Sequence, residues 1–355
     1  MTAVDVVVPD GIDDPARPSG GNVYDRRLCL GLQEQGWAVR EHAVPGGWPR
    51  PDAAALAVLG AVLGRISDGA VVLLDGLVAS AAPEVLESEA GRLRLTVLVH
   101  MPLGHRPAPG ESADVRMRER RVLAAARAVV TTSAWARRRV LELYGLPADL
   151  VHVAEPAVEA AGLAPGTAEG GELLCVAAVT PDKGHDVLLD ALATVRELRW
   201  RCECVGSLEI APAFVAELRR RSHAAGLADR LRLVGPLTRA ELGHCYAAGD
   251  LLVHAARAET YGMVITEALA RGLPVVATAV GGVREAFGER DGGTEPGRLV
   301  EPDDAAALGA ALRSWLGDAG LRARWRRAAR DRRQALPAWS ATVSVVARVL
   351  AGTAL

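Results

Sequence analysis

The sequence predicts an α/β protein with parallel sheets, organised as two similar halves. Short apolar runs alternate with segments of helix formers through most of the 355 residues, and strands separated by helices of about ten residues or more are typical of parallel sheets. The alternation stops at residues 159–171, a stretch rich in Ala, Gly and Pro, and then starts again. The length is also sufficient for two domains.

In the first half, turn and cap residues delimit the expected elements. Val4–Pro9 is an apolar strand followed by a glycine-containing loop, Gly36 ends the first helix, and Ser133 is placed to cap the last one. The expected strands are 4–9, 38–44, 70–75, 95–100 and 128–131, and the expected helices are 23–35, 53–66, 79–89, 112–126 and 133–144.

The second half repeats this pattern, with Gly272 and Pro274 ending one of its helices. The expected strands are 173–177, 202–205, 231–234, 251–254, 274–277 and 299–300, and the expected helices are 183–197, 211–225, 238–247 and 262–271, with three more from residues 303, 318 and 337. We therefore predict a first domain over 1–160, a linker over 161–171 and a second domain over 172–337. Ligands are expected in a cleft at the carboxyl ends of the strands.

Composition narrows the classes of function. The net charge of −2 gives no reason to expect nucleic acid as a partner. No uncharged apolar run approaches the roughly 20 residues of a spanning helix, and the first residues lack a basic leader, so a cytoplasmic protein is expected. The five cysteines match no metal-site spacing, which favours reduced, mostly buried thiols. His185 is expected to be structural.

The stretch from Glu259 to Glu267 is the most informative part of the chain. It follows the apolar run 251–254, and its two carboxylates stand eight positions apart around Gly262. Gly262 is predicted to form a strand-to-helix turn, whose free backbone N–H groups suit a phosphate. A carboxylate in the following helix can accept hydrogen bonds from a ribose diol. The stretch therefore predicts a nucleotide diphosphate held by backbone and a sugar held by acids.

Three further features fall at predicted strand ends, and each has a functional and a structural interpretation. The pair Gly20-Gly21 allows close approach of a ligand or forms a plain flexible turn. Lys183, the only lysine, neutralises a pyrophosphate or lies solvated on the surface. His100 donates a hydrogen bond to a sugar hydroxyl or is a loop histidine without function. The lone lysine in an arginine-rich chain favours function for Lys183.

Other motifs give negative or weaker evidence. The glycine loop is not G-x-G-x-x-G, and there is no G-x-S-x-G, no H-E-x-x-H and no paired-acid metal pattern, so neither a cofactor nor a metal is expected. Basic runs at 116–121, 137–139 and 322–333 could bind an anionic membrane surface. Solvated helix faces are the favoured interpretation, because arginine is frequent throughout the chain.

With these residues identified, the chain resembles the retaining glycosyltransferases of family 4, which have the GT-B architecture. Glu259 and Glu267 match that family's E-x7-E signature, and residues 268–277 and 281–285 are similar to its continuation. The resemblance covers nearly the whole chain and is strongest over 173–300. It implies two Rossmann-like domains facing each other across a cleft, with the final helix, within 338–355, crossing back onto the first domain.

The resemblance also implies roles for individual residues. Lys183 would stabilise charge on the leaving nucleoside diphosphate, Glu259 would contact the donor sugar, His100 would bind the sugar, and Glu267 would hold the ribose. The remaining donor-binding positions are Gly20, Gly21, Tyr261, Gly262, Met263 and Val264. The implied partner is a nucleotide-sugar donor. The length, the lack of a membrane segment and the Ala and Arg bias fit a bacterial enzyme with a small-molecule or lipid-linked acceptor, and the missing metal motifs indicate that it needs no metal.

One departure from the family pattern affects the expected chemistry. The family commonly has an arginine five residues before its phosphate lysine, and this chain has Ala178 there. Arg257 is a candidate for the missing cation. The main hypothesis is transfer of a sugar from a UDP- or GDP-sugar with retention of configuration. The alternatives are a catalytically degenerate protein that only binds a nucleotide sugar, or a nucleotide-sugar epimerase of similar fold.

Overall fold

A computed structural model describes residues 2–16, 18–106, 112–288 and 295–353. The chain forms two compact units. The first consists of the described parts of 1–14, 19–156 and 339–355, and the second of the described parts of 15–18 and 157–338. Among the described residues, no helix is long and apolar enough to cross a membrane.

Each unit contains a six-stranded sheet in which all neighbouring strands are parallel. The first sheet has the order β2-β1-β3-β4-β5-β6 and the second β12-β11-β10-β7-β8-β9. The strands are β1 Ala3–Pro9, β2 Ala38–Val44, β3 Val71–Asp75, β4 Arg94–Val99, β5 Ala128–Thr131, β6 Val151–Val153, β7 Glu172–Val176, β8 Arg201–Val205, β9 Leu231–Gly235, β10 Leu251–His254, β11 Val275–Thr278 and β12 Gly297–Val300.

Helices connect the strands, as parallel pairing requires. They are α1 Gly20–Glu34, α2 Ala53–Gly64, α3 Gly76–Ala79, α4 Pro83–Glu89, α5 Ser112–Ala125, α6 Ala134–Tyr144, α7 His185–Ala193, α8 Pro212–Ala224, α9 Arg239–Ala248, α10 Met263–Leu269, α11 Val283–Phe287, α12 Ala305–Gly317, α13 Ala319–Arg333 and α14 Trp339–Thr353. Short 3₁₀ turns occur at Leu103–His105 and Pro181–Lys183.

The central strands are apolar because both faces of each sheet are covered. Val7 and Leu74 belong to one core cluster of the first unit, whereas Val6 and Leu73 belong to another. Neighbouring residues of one strand point to opposite faces, so these two clusters lie on opposite sides of the sheet. The described part of the second sheet is likewise covered by two buried clusters.

The final helix, α14, packs in the first unit, against α1. Val343, Val346 and Leu350 of α14 are buried in the same cluster as Leu32 of α1. The helices approach so closely that a Cβ at Gly31 would lie 2.4 Å from a methyl carbon of Val343. The chain thus returns to the first unit after completing the second.

Several element boundaries differ from the predicted ones. α1 begins at Gly20 rather than Val23 because the Ser19 hydroxyl accepts from the Asn22 amide (3.1 Å), so both glycines lie inside the first helical turn. β6 was not predicted. α10 is shorter than predicted because the chain turns after Leu269, with Gly272 at a φ of +68°.

The segment 161–170 contains neither helix nor strand but is bonded to the second unit. Both the amide and the hydroxyl of Thr167 donate to the buried carboxylate of Asp250, and Arg326 also pairs with Asp250 (2.8 Å). The Ala164 amide donates to the Arg271 carbonyl. This segment is therefore held in place rather than extended as a free tether.

Candidate functional site

The candidate site of the second unit lies where two neighbouring parallel strands end. β10 pairs with β7, and the loops that follow them, together with helix α10, contain most of the residues predicted to bind a donor. The loop after β7 leads to Lys183, and the loop after β10 leads to Glu259 and Gly262. Side chains distant in sequence meet here because the carboxyl ends of parallel strands share one edge of a sheet.

Lys183, Glu259 and His254 form the charged centre of this site. The Lys183 ammonium donates to Glu259 Oε2 at 2.7 Å, and His254 Nε2 lies 3.3 Å from the same oxygen. Burial alone would raise the pKa of Glu259, but the Lys183 charge and contact with His254 hold it well below its usual value. Glu259 is therefore ionised at neutral pH and fixes the lysine at the strand ends.

Gly184 brings the lysine loop against the loop after β10. Its φ is +65°, and a Cβ at this position would lie 1.9 Å from the Ala255 carbonyl oxygen. Only glycine fits such a backbone approach without displacement. The Lys183–Glu259 contact therefore depends on residue 184 being a glycine.

Arg257 strengthens the same junction. Its guanidinium donates to both carboxylate oxygens of Asp186 at 2.8 Å and also pairs with Asp303. The Arg257 amide donates to the Asp182 carbonyl (2.7 Å). Two carboxylates already balance the charge of Arg257, so its contacts are those of a residue that holds loops together. Its role as the compensating cation remains a prediction.

The glycine turn of the E-x7-E stretch begins α10. Gly262 has a φ of +96° and is the N-cap residue, a conformation that side-chain-bearing residues rarely adopt. Tyr261 is buried in the core, so any donor contact at that position would fall to its backbone. Met263 and Val264 are partly buried at the start of the helix.

Glu267 lies on α10 beside Tyr246. The Tyr246 hydroxyl donates to Glu267 Oε2 at 2.8 Å, and the Arg271 guanidinium stacks 4.6 Å from the Tyr246 ring centroid. Burial raises the pKa of Glu267, against the opposing effects of Tyr246 and Arg271. The tyrosine orients one carboxylate oxygen, which leaves Oε1 as the oxygen to meet a ligand.

A second titratable cluster lies in the first unit, around His100. His100 Nε2 is 2.7 Å from Asp25 and 3.6 Å from Asp75, and both carboxylates are buried. Burial lowers the pKa of His100, but Asp25 overcomes this and raises it from 6.5 to about 9. Burial and the Asp25 charge raise the pKa of Asp75 to about 7. His100 is therefore an imidazolium whose Nδ1 is the ring nitrogen left for a ligand.

The two glycines predicted to cradle a phosphate lie next to His100. A Cβ on Gly21 would lie 3.2 Å from the imidazole Cδ2, so a larger residue would press on the ring. Gly20 opens α1. The glycine pair, His100 and the two carboxylates thus form one compact group at the start of the first helix.

The arginines of the basic runs are largely engaged within the protein. Arg121 pairs with Glu84 and Glu87, Arg137 donates to the Val151 and Ala148 carbonyls, and buried Arg322 donates to the Trp315 and Leu316 carbonyls. These contacts support the structural interpretation of the runs over a membrane-binding one.

Sequence reasoning missed four residues that shape these clusters. Asp25 and Asp75 flank His100, His254 flanks Glu259, and Tyr246 holds Glu267. Two of them carried a readable signal. Asp25 is a charged residue among the buried positions Tyr24, Leu28 and Leu32 of α1, and Asp75 ends an otherwise apolar strand. A carboxylate in such a place needs a partner.

Comparison with known proteins bears on the family and the fold. Residues 167–332, which include the Lys183–Glu259 centre, match the family of glycosyl transferases group 1. The whole fold is similar to sucrose-phosphate synthase from Thermosynechococcus elongatus (TM-score 0.81, 21% identity, 99% of both chains). It is also similar to Anabaena HepE in complex with UDP and glucose (TM-score 0.77, 19% identity, 99% of this chain and 100% of the other). The fold is therefore that of the GT-B glycosyltransferases.

Curated relatives are more similar in sequence but longer. The D-inositol 3-phosphate glycosyltransferase of Jonesia denitrificans is 31% identical over 251 residues, which cover 64% of this chain and 58% of that protein. The protein of the same name from Kineococcus radiotolerans is 33% identical over 268 residues, which cover 68% of this chain and 60% of that protein. The chain thus matches about three fifths of each relative's length.

Proposed function

We propose that the chain transfers a sugar from a nucleotide-diphosphate donor, a UDP- or GDP-sugar, to a hydroxyl acceptor with retention of anomeric configuration. The Lys183–Glu259 pair supports this proposal most directly. It places a cation at the carboxyl ends of β7 and β10, inside the segment that matches glycosyl transferases group 1. The UDP and glucose named for the HepE complex favour UDP over GDP.

In this proposal the donor sugar loses its bond to the diphosphate and gains one to the acceptor oxygen. Lys183 stabilises the negative charge that develops on the leaving diphosphate, and the acceptor proton passes to a diphosphate oxygen on the same face of the sugar. Glu259 holds the lysine and meets hydroxyls of the donor sugar. Glu267 Oε1 accepts from the ribose. No step requires a metal, because Lys183 supplies the charge.

The test measures release of UDP from UDP-glucose by wild-type protein and by Lys183→Ala. We expect the variant to lose about 10²–10³-fold in turnover, the usual cost of removing one group that stabilises transition-state charge. Lys183→Arg should recover part of the rate. Arg298→Ala, an exposed arginine of the same unit, is the matched control and should retain wild-type turnover. A Lys183→Ala variant within threefold of wild type would contradict the assignment.

Acceptor and stereochemistry need a separate measurement. The acceptor panel should include D-inositol 3-phosphate, because the curated relatives carry that name. NMR of the product should show the anomeric configuration of the donor. An inverted product would exclude the proposed course. A changed sugar in the absence of any acceptor would indicate epimerisation instead.

Ala178 supports a second candidate function, a protein that binds nucleotide sugars without transferring them. It occupies the place where the resemblance expects a second cation, and the charge of Arg257 is balanced by Asp186 and Asp303. Such a protein would bind donor tightly and release no UDP with any acceptor. Turnover that appears only after Ala178→Arg would favour this candidate over an active enzyme.

A further inference from the structure

A cluster of two thiols and one imidazole lies in the core of the second unit. Cys175 of β7 and Cys204 of β8 are direct register partners on neighbouring strands, and His185 is the first residue of α7. All three residues are at least 98% buried. The two sulfurs and a ring nitrogen of His185 lie within 4.8 Å of one another. Both cysteines are free thiols.

The spacing of these atoms matches that of ligands around one metal ion. Cys175 Sγ lies 3.7 Å from His185 Nε2. In a tetrahedral zinc site, with Zn–S of about 2.3 Å and Zn–N of about 2.0–2.1 Å, a sulfur and a nitrogen are about 3.6 Å apart. An ion could therefore bind with little movement of either side chain. Thiolate and imidazole are also the ligands that zinc prefers.

The cluster adjoins a cavity that could admit an ion. A cavity of about 340 Å³ is lined by His185, Cys204 and Ser222, with Arg219 and His223 among the other residues around it. Within the part of the chain that the structure describes, His185 Nδ1 and Ser222 Oγ are buried without a hydrogen-bond partner. Unpartnered buried polar atoms are uncommon, and both of these belong to residues that line the cavity.

We propose that Cys175, Cys204 and His185 form a binding site for a thiophilic divalent cation, with Zn²⁺ as the expected ion and its fourth coordination position open to the cavity. Binding converts the two thiols to thiolates and releases their two protons to the buffer. The remaining position would hold water or a small molecule from the cavity, as in zinc sites with three protein ligands.

Burial and neighbouring thiols keep both cysteines protonated until an ion arrives. A hydrogen bond to Cys204, together with burial, holds the pKa of Cys175 well above its usual value. The thiols are therefore poorly reactive by themselves. The cluster escaped motif analysis because its members stand 10 and 19 residues apart along the chain and meet only through strand pairing.

The test uses full-length protein stripped of metal with a chelator under reducing conditions. Titration with Co²⁺ should give one bound ion per chain and the near-ultraviolet absorption of thiolate-to-cobalt charge transfer. Zn²⁺ should displace the Co²⁺ and abolish that absorption. The measurement needs no sugar donor, so its outcome is independent of the proposed transferase activity.

Matched cysteine variants locate the ion. Cys204→Ala should weaken Zn²⁺ binding by more than about 100-fold, since the loss of a direct ligand exceeds that of an outer contact. Cys29→Ala is the control: Cys29 is a thiol of similar burial on α1 but lies in the first unit, and its loss should leave binding unchanged. His185→Gln provides a second ligand variant if Cys204→Ala does not fold.

Three results would overturn the proposal. The first is the absence of charge-transfer absorption in wild-type protein. The second is equal loss of binding in Cys29→Ala and Cys204→Ala, which would reflect a general loss of stability. The third is binding that persists in Cys204→Ala but disappears in Cys245→Ser, because Cys245 is the partly exposed thiol.

Discussion

Single side chains set the charge state of the His100 cluster in the first unit and of the Lys183–Glu259 centre in the second. Asp25 turns an ordinary strand-end histidine into an imidazolium, and Lys183 with His254 keeps Glu259 ionised despite its burial. Each cluster joins a residue that sequence reasoning identified to one that it missed. The identified residues stand in recognisable loops, whereas their partners belong to a helix or to the last position of a strand.

Asp25→Asn tests the control of His100. Removal of the carboxylate charge should lower the pKa of His100 from about 9 by more than about one unit. NMR titration of the imidazole, assigned by comparison with His100→Gln, measures this shift. Asp13→Asn, which alters an exposed ion pair of the same unit, should leave the midpoint unchanged. An unchanged midpoint in Asp25→Asn would show that Asp75, rather than Asp25, raises the pKa of the ring.

The raised pKa of His100 also predicts that the stability of the protein depends on pH. The folded-state pKa of His100, about 9, is above its ordinary value of 6.5, so its contribution is fully present below pH 6.5 and is lost as the pH rises through 9. Urea unfolding at about pH 7 and pH 9.5 should show a larger decrease in the free energy of unfolding for wild type than for Asp25→Asn. Equal decreases in wild type and Asp25→Asn would contradict a stabilising contribution from the protonated His100.

At the scale of elements, the second unit places its charged centre by fitting two loops together. The loop after β7 and the loop after β10 touch at Gly184 and Ala255, and Arg257 fastens them through Asp186 and the Asp182 carbonyl. Sequence spacing predicted both loops but not their contact. A backbone contact between loops about 70 residues apart leaves no periodic signal in the sequence.

Gly184→Ala tests this contact against a matched glycine. Gly226 has a φ of +68°, close to the +65° of Gly184, but a Cβ there would meet no atom within 4 Å. Gly226→Ala should therefore cost only the backbone strain, roughly 1–2 kcal/mol. Gly184→Ala adds a clash with the Ala255 carbonyl and should cost at least about 2 kcal/mol more in urea unfolding. Similar losses of stability in Gly184→Ala and Gly226→Ala would mean that the loops after β7 and β10 separate at little cost.

Helix α1 offers a second matched pair. Leu32 is completely buried against the cluster that includes α14, whereas Leu30 is 47% exposed on the same helix. Leu32→Ala should lower the free energy of unfolding by about 2–5 kcal/mol, and Leu30→Ala by less than about 0.5 kcal/mol. Comparable losses would contradict the packing of this helix face.

At the scale of the whole molecule, two units with parallel sheets present residues of the proposed donor chemistry at their strand ends. The fold matches GT-B proteins over nearly the full chain, and the family match lies in the second unit. A nucleotide that binds this fold should stabilise it in proportion to the logarithm of its concentration.

A thermal-shift screen of UDP, GDP, ADP and TDP tests this expectation. We expect UDP at about 100 times its dissociation constant to add about 2.7 kcal/mol and raise the melting temperature by several degrees. Glu267→Ala should abolish the shift if Glu267 holds the ribose, and exposed Glu301→Ala should preserve it. Stabilisation by GDP, ADP or TDP but not by UDP would reassign the donor. If none of the four nucleotides stabilises the protein, the result would count against the proposed function.

The sequence by itself determined the α/β class and most strands, because apolar runs and turn residues are local signals. It also singled out Glu259, Lys183 and His100 as residues at strand ends. Only the tertiary structure decided what each of them touches: Glu259 with Lys183 and His254, His100 with Asp25 and Asp75, and His185 with Cys175. These contacts arise from parallel strand pairing, which brings together residues with no fixed spacing along the chain.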